Sequence, residues 1–223
     1  MFKWFKKQEK QKEVAIIAIH GFGIRRTLEL EPIIEPLCDY EIIRPVLFNP
    51  DNENDSKMND WIFRADQVVS KAINNGQKVI LLGFSMGGVI ATHLATKYQV
   101  EKLILLAPAF EYRTVTTATS ALTSFFSQKE TNVEMPSSFT QTFMEVVDKY
   151  KGQIDKVKCP TLIISASNDE VISSSVSSKY YKKLKTCKKH CVILEGGEHR
   201  ILDNEETYKI TINLIKSFIN DTF

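Results

Sequence analysis

A serine stands between two glycines in the sequence Gly-Phe-Ser-Met-Gly at residues 83–87, directly after an apolar run and before a segment with helical spacing. On a sharp turn from strand to helix, a serine projects its hydroxyl beyond the sheet, and the glycines remove side chains that would collide with neighbouring backbone. The spacing therefore predicts that Ser85 is a nucleophile. The alternative is a structural turn without chemistry.

A serine hydroxyl is a weak nucleophile near neutral pH and needs a base within hydrogen-bond reach. Of the four histidines, only His199 lies on a loop that follows both an apolar run and Ser85 in chain order. We therefore predict that His199 is the general base. We expect His20 to brace its loop, His93 to pack from a helix and His190 to lie on a surface strand.

The acid that orients this base should come between Ser85 and His199, just beyond a strand. Asp169 meets both conditions, because it follows the apolar run Thr161–Ala166. Glu170 is the main alternative. The interpretation of Asp169 without catalysis is a capping residue for the next helix.

Acyl transfer at Ser85 would place negative charge on a substrate oxygen, and each preorganised N–H donor at that oxygen contributes about 3 kcal/mol. The residue after the nucleophile supplies one donor, which is the backbone N–H of Met86. The loop His-Gly-Phe-Gly at residues 20–23 is expected to supply the second, from the backbone N–H of Phe22. The alternative for this loop is a plain glycine turn.

The elements that must position these residues alternate along the chain. Short apolar, β-branched runs predict six strands, at 14–19, 41–48, 78–84, 102–107, 161–166 and 190–194. Helical spacing predicts helices at 59–74, 86–98, 174–184 and 204–218. Continuous apolar strands separated by helices favour a three-layer α/β fold with a mostly parallel sheet of about six strands.

One segment, residues 110–158, departs from this alternation because it contains no convincing strand over roughly fifty residues, far more than an ordinary connection. We predict that it forms a small helical cap, with helices at 118–126 and behind Pro136, over the strand ends where Ser85 is presented. Its apolar side chains are expected to line an acyl pocket: Phe125, Phe126, Phe139, Phe143 and Met144. The alternative is that they only pack the cap onto the sheet.

Composition excludes several classes of protein. The 29 basic and 27 acidic residues are mixed along the chain, so nothing resembles a nucleic-acid footprint.

We expect a basic extension at 1–13 and a single domain at 14–223. The basic start lacks a cleavage site for secretion, so we expect the cytoplasm. Aromatic residues interleaved with lysines at 1–7 could contact a membrane surface weakly, or form a frayed basic terminus.

The expected chemistry needs neither metal nor cofactor. Cys187, His190 and Cys191 would supply only three soft ligands, whereas a structural zinc takes four. Serine, histidine and backbone donors provide the nucleophile, the proton transfer and the charge stabilisation themselves. Apart from the weak membrane contact considered for residues 1–7, the partner that we predict is a small-molecule ester substrate.

Four motifs occur in the order His-Gly-Phe-Gly at 20–23, Gly-Phe-Ser-Met-Gly-Gly at 83–88, Ser-Asn-Asp-Glu-Val at 167–171 and Gly-Gly-Glu-His at 196–199. This order resembles the α/β-hydrolase superfamily, and within it small bacterial carboxylesterases and monoacylglycerol-lipase-like serine hydrolases. The resemblance implies cleavage of carboxylic esters, of short to medium acyl chains or of a monoacyl lipid.

Dehalogenases and epoxide hydrolases of the same superfamily resemble the pattern with aspartate at the nucleophile position, so Ser85 favours acyl transfer. Thioesters, amides and peptide-like compounds are the alternative substrates. A non-catalytic hydrolase-like binding protein is the alternative of a different class.

Overall fold

A six-stranded parallel sheet forms the centre of the structure, a computed structural model that describes residues 12–23, 28–111 and 135–223. The strands are β1 (Val14–Ile19), β2 (Glu41–Ile43), β3 (Lys78–Phe84), β4 (Lys102–Leu106), β5 (Thr161–Ala166) and β6 (Lys189–Leu194). Their order is β2-β1-β3-β4-β5-β6, and every neighbouring pair is parallel. The parallel sheet of the sequence prediction is confirmed.

Two layers of helices cover the sheet. The helices are α1 (Met58–Asn74), α2 (Met86–Lys97), α3 (Ser137–Tyr150), α4 (Ser174–Lys183) and α5 (Glu205–Ile219). Alternate residues of each strand point to opposite faces, so Ile17 packs in the core with α1 to α4 while Ile16 packs in the core with α5. Strands with two buried faces explain the continuous apolar runs, and the three-layer arrangement is confirmed.

The second strand is shorter than its sequence indicates. The apolar run predicted a strand over 41–48, but β2 ends at Ile43. Pro45 has no N–H to donate to a ladder and restricts the residue before it, so pairing stops there. Leu47 and Phe48 are nevertheless fully buried, because the loop that carries them packs into the core beneath α1.

Of the insertion at 110–158, the structure describes residues 110–111 and 135–158. There α3 packs against α1 and α2 within one helical layer, and the Thr142 hydroxyl donates to the carbonyl oxygen of Ser56 at 2.5 Å. The remainder of the predicted cap, including the helix at 118–126 with Phe125 and Phe126, lies outside the described residues. The same holds for nearly all of the basic extension and for the segment 1–7.

Among residues 12–23, 28–111 and 135–223, no helix is long and apolar enough to cross a bilayer. In that part of the chain, no three side chains of His, Cys, Asp or Glu are grouped as metal ligands would be.

Candidate active site

Ser85 lies on the turn between β3 and α2 with a backbone conformation of φ 52° and ψ −119°. This backbone conformation is unfavourable by about 1–3 kcal/mol for a residue with a side chain, so contacts with the surrounding structure must stabilise it. Here the N–H of Ser85 donates to the carbonyl oxygen of Leu106 at 2.9 Å, and its own carbonyl oxygen accepts from the N–H of Ala109 at 3.1 Å. The end of β4 therefore holds the serine in its strained turn.

The two glycines of the turn permit a very close approach of backbone to backbone. A Cβ atom at Gly83 would lie 2.4 Å from the carbonyl oxygen of Gly87, and one at Gly87 would lie 2.1 Å from that of Ile19. Neither position could carry a side chain without displacing main chain. The start of α2 is thus packed directly against the end of β1, which leads into the loop of residues 20–23.

Ser85, His199 and Asp169 form a continuous chain of hydrogen bonds. Nε2 of His199 lies 3.1 Å from Oγ of Ser85, and Nδ1 lies 2.8 Å from Oδ2 of Asp169. Oδ1 of Asp169 accepts from the N–H groups of Val171 at 2.9 Å and Ile172 at 2.6 Å. Because the carboxylate only accepts, Nδ1 carries the proton and donates it, which leaves Nε2 to accept from the serine hydroxyl.

These three residues are shielded from solvent. Ser85 and His199 are each 1% exposed, and Asp169 is 4% exposed. The Phe84 ring packs on the imidazole of His199 with 5.1 Å between centroids. Hydrogen bonds within such surroundings are electrostatically stronger than in water, so the relative positions of the three groups are firmly set.

Glu170, the alternative candidate for the acid, makes a different contact. Its carboxylate accepts a hydrogen bond from the backbone N–H of His199 at 3.1 Å, while Asp169 occupies the position beside the ring. Glu170 therefore ties the loop after β5 to the loop that carries the histidine.

The two residues whose backbone N–H groups are predicted donors lie at the start of α2 and in the loop after β1. Met86 is the first residue of α2, and the first N–H groups of a helix have no acceptor within it and form the positive end of its dipole. Phe22 follows β1, and its ring stacks on that of Phe143 at 5.2 Å and that of Trp61 at 6.3 Å. The side chain of Phe22 thereby anchors its loop in the core.

The histidine of the same loop acts as a brace. The N–H of Leu47 donates to Nε2 of His20 at 3.0 Å, so the proton of the imidazole resides on Nδ1, which donates to the carbonyl oxygen of Gly21 at 2.7 Å. This agrees with the bracing role expected from the sequence.

An aromatic cluster lies below the loop and consists of five buried side chains: Phe22, Phe48, Trp61, Phe139 and Phe143. Phe139 and Phe143 are 0% and 1% exposed, so in this structure they pack the core beneath the loop. Met144 is partly buried against the same core. Helical spacing identifies the buried face of α3 but not what it faces, and contact of these residues with an acyl chain stays a prediction.

Sequence reasoning did not single out Glu29. Its Oε2 accepts from the backbone N–H of Gly21 at 2.9 Å. Burial raises the pKa of Glu29 from 4.5 to about 7, although the hydrogen bond from Gly21 and the nearby Arg200 and His199 act to lower it. In the sequence Leu-Glu-Leu-Glu at residues 28–31, nothing distinguishes this carboxyl from the exposed one two positions later.

Comparison with known proteins supports the fold. The model of the uncharacterised protein family UPF0227 matches residues 42–218. Curated protein sequences give no match. Among solved structures, one of the metagenome-derived lipolytic enzymes LipS and LipT has 16% identity and a TM-score of 0.80 over 95% of each chain.

Two further structures are similar over nearly their whole length. A soluble variant of monoglyceride lipase from Saccharomyces cerevisiae has 14% identity and a TM-score of 0.72, over 96% of this chain and 88% of that one. The α/β-hydrolase domain-containing protein 10 from mouse has 20% identity and a TM-score of 0.67, over 96% and 93%. At these identities the likeness shows the α/β-hydrolase fold.

Proposed function

Since the chain belongs to the uncharacterised protein family UPF0227 and has the α/β-hydrolase fold, we propose that it is a serine hydrolase that cleaves carboxylic esters. One observation carries the proposal. A hydrogen-bonded relay runs from Asp169 through His199 to a serine on a strained turn, with separations of 2.8 Å and 3.1 Å. In an acyl-transfer enzyme, the nucleophile is hydrogen-bonded to the general base, and the base is hydrogen-bonded to the acid that orients it.

In the first half of the reaction, Oγ of Ser85 attacks the ester carbonyl carbon while its proton passes to Nε2 of His199. Asp169 keeps Nδ1–H in place and stabilises the imidazolium that forms. The oxygen of the tetrahedral intermediate accepts from the N–H groups of Met86 and Phe22. The C–O bond then breaks, and the alcohol leaves with the proton from Nε2.

In the second half, water attacks the acyl group on Ser85. His199 takes a proton from this water and returns it to Oγ, which releases the carboxylic acid and restores the free enzyme. Thioesters and amides could follow the same path. The lipolytic activity named for the similar structures supports esters as the first substrates to test.

We predict a preference for short to medium acyl chains. Each added CH₂ that is buried should favour the reaction by up to about 0.8 kcal/mol, roughly fourfold in kcat/KM, until the pocket is full. Hydrolysis of p-nitrophenyl esters from acetate to laurate measures this dependence, with a matched thioester and anilide as additional substrates. A higher kcat/KM for the thioester or the anilide than for every ester would reassign the substrate class.

The same panel tests which aromatic residues contact the acyl chain. Phe125→Ala and Phe126→Ala are expected to shift the preferred length, because the sequence predicts that these residues line the pocket. Phe48→Leu is the matched control, since its ring is buried in the aromatic cluster and the sequence does not assign it to the pocket, and it should lower the unfolding temperature with an unchanged preference. An unaltered preference in the Phe125 and Phe126 variants would remove them from the pocket.

A further inference from the structure

The carboxylate of Glu29 contacts the loop of residues 20–23 and has no part in the mechanism above. Oε2 of Glu29 lies 2.9 Å from the backbone nitrogen of Gly21. A Cβ atom added at Gly21 would lie 3.1 Å from this oxygen and 3.0 Å from Cδ1 of Phe84. Glu29 therefore contacts the main chain of Gly21 where that residue is packed against the ring of Phe84.

Two successive peptide groups meet at Gly21, and each is held by one side chain. Glu29 accepts the N–H of Gly21, which belongs to the peptide between His20 and Gly21. His20 donates to the carbonyl oxygen of Gly21, which belongs to the same planar group as the N–H of Phe22. Glycine has wide rotational freedom between these two planes, so each bond restricts the direction of one plane.

We propose that Glu29 is a positioning residue of the oxyanion hole: by accepting the Gly21 N–H it fixes the loop so that the next N–H, that of Phe22, faces the substrate oxygen. This inference rests on the proposed function. It assigns a role in the reaction to a residue that touches neither the substrate nor the reacting atoms.

The surroundings of Glu29 favour a functional role over a purely structural one. Burial raises its pKa to about 7, so the charged form costs folding stability. Arg200 and His199 partly offset this cost, while Asp203 adds to it. A group with strongly perturbed ionisation near the proposed general base is a candidate for function.

The experiment compares Glu29→Leu, which removes the acceptor, with Glu29→Gln, which keeps an acceptor of the same length without charge. Glu31→Gln is the matched control, because Glu31 is exposed and paired with Arg44 at 2.6 Å. Values of kcat and KM for p-nitrophenyl butyrate are measured at pH 8, and kcat is referred to the concentration of sites titrated with a fluorophosphonate.

Glu29→Leu is expected to lower kcat at least tenfold with little change in KM, because removal of a whole oxyanion donor costs about 10²- to 10³-fold and misalignment a part of that. Glu29→Gln should remain within about threefold of wild type, and Glu31→Gln should equal it. Unchanged kcat per titrated site in Glu29→Leu, with only a lowered unfolding temperature, would overturn the inference. Wild type that neither turns over esters nor reacts with the fluorophosphonate would instead overturn the proposed function on which it rests.

Unfolding as a function of pH gives a readout that does not depend on activity. A carboxyl with a folded-state pKa above its ordinary value stabilises the protein below that ordinary value, here 4.5, and the contribution is lost as pH rises to about 7. Wild type should therefore lose stability relative to Glu29→Gln between these two pH values. A difference between the two proteins that stays constant with pH would show that the carboxyl keeps its ordinary pKa, and would contradict the burial of its charge on which the choice of Glu29 is argued.

Discussion

Replacement of Ser85 by alanine is expected to lower kcat for ester hydrolysis by a factor on the order of 10⁴ to 10⁶, the range found when a catalytic serine acts as one unit with its base. The attacking oxygen is lost, and no other group takes its place on the turn. Alanine has the same Cβ atom as serine, so the backbone at φ 52° bears the same strain. Steady-state hydrolysis of p-nitrophenyl butyrate, with circular dichroism and an unfolding curve as controls, measures the effect.

His199→Ala should cost nearly as much as Ser85→Ala, and the double variant should be little worse than either single one, because the two groups act together. Losses that multiply in the double variant would show two independent contributions. A Ser85→Ala protein that keeps more than about a tenth of wild-type kcat, where several decades are expected, would exclude serine catalysis.

Asp169→Asn is expected to lower kcat by about 10⁴-fold while the protein remains folded. The N–H groups of Val171 and Ile172 would bind the amide oxygen, which leaves the NH₂ group directed at Nδ1 of His199. Nδ1 must then accept, so the ring proton moves to Nε2, and Nε2 can no longer take the proton from Ser85. Kinetics at a fixed pH, together with the unfolding curve, give the comparison with wild type.

Glu170→Gln is the matched control for this substitution, since it changes the neighbouring carboxylate in the same way. The amide oxygen can still accept from the backbone N–H of His199, so kcat should stay within about threefold of wild type. If Glu170→Gln were the damaging change and Asp169→Asn the mild one, the acid would be Glu170.

The sheet and its helices were predictable because their signals are local. Runs such as 79–84 in β3 are apolar at every position, which indicates a strand buried on both faces. Helices such as α1, α3 and α5 show one apolar stripe, whereas α2 is buried on nearly all sides. The end of β2 was missed because apolar character continues beyond the last paired residue. Pro45, visible in the sequence, breaks the ladder while Leu47 and Phe48 remain buried in a loop.

The candidate site shows the same division between local and distant information. The glycine spacing indicated the turn that carries Ser85. Chain order indicated that Asp169 and His199 follow later strands of the same parallel sheet, and the three side chains are in contact in the structure. The packing partners of α3 could not be predicted from the sequence, because helical spacing shows which face of a helix is buried but not which residues it contacts. Glu29 was missed since its contact with Gly21 depends on how the intervening loop folds.

Covalent labelling with a fluorophosphonate tests the central claim most directly, because this reagent reacts with a serine only when a base and an oxyanion hole activate it. The account predicts one adduct per folded chain, located by peptide mass spectrometry on Ser85. Ser85→Ala and heat-unfolded protein should carry no adduct, and Asp169→Asn should react far more slowly than Glu170→Gln. An unlabelled wild-type chain, or an adduct on another serine that persists in Ser85→Ala, would contradict the account.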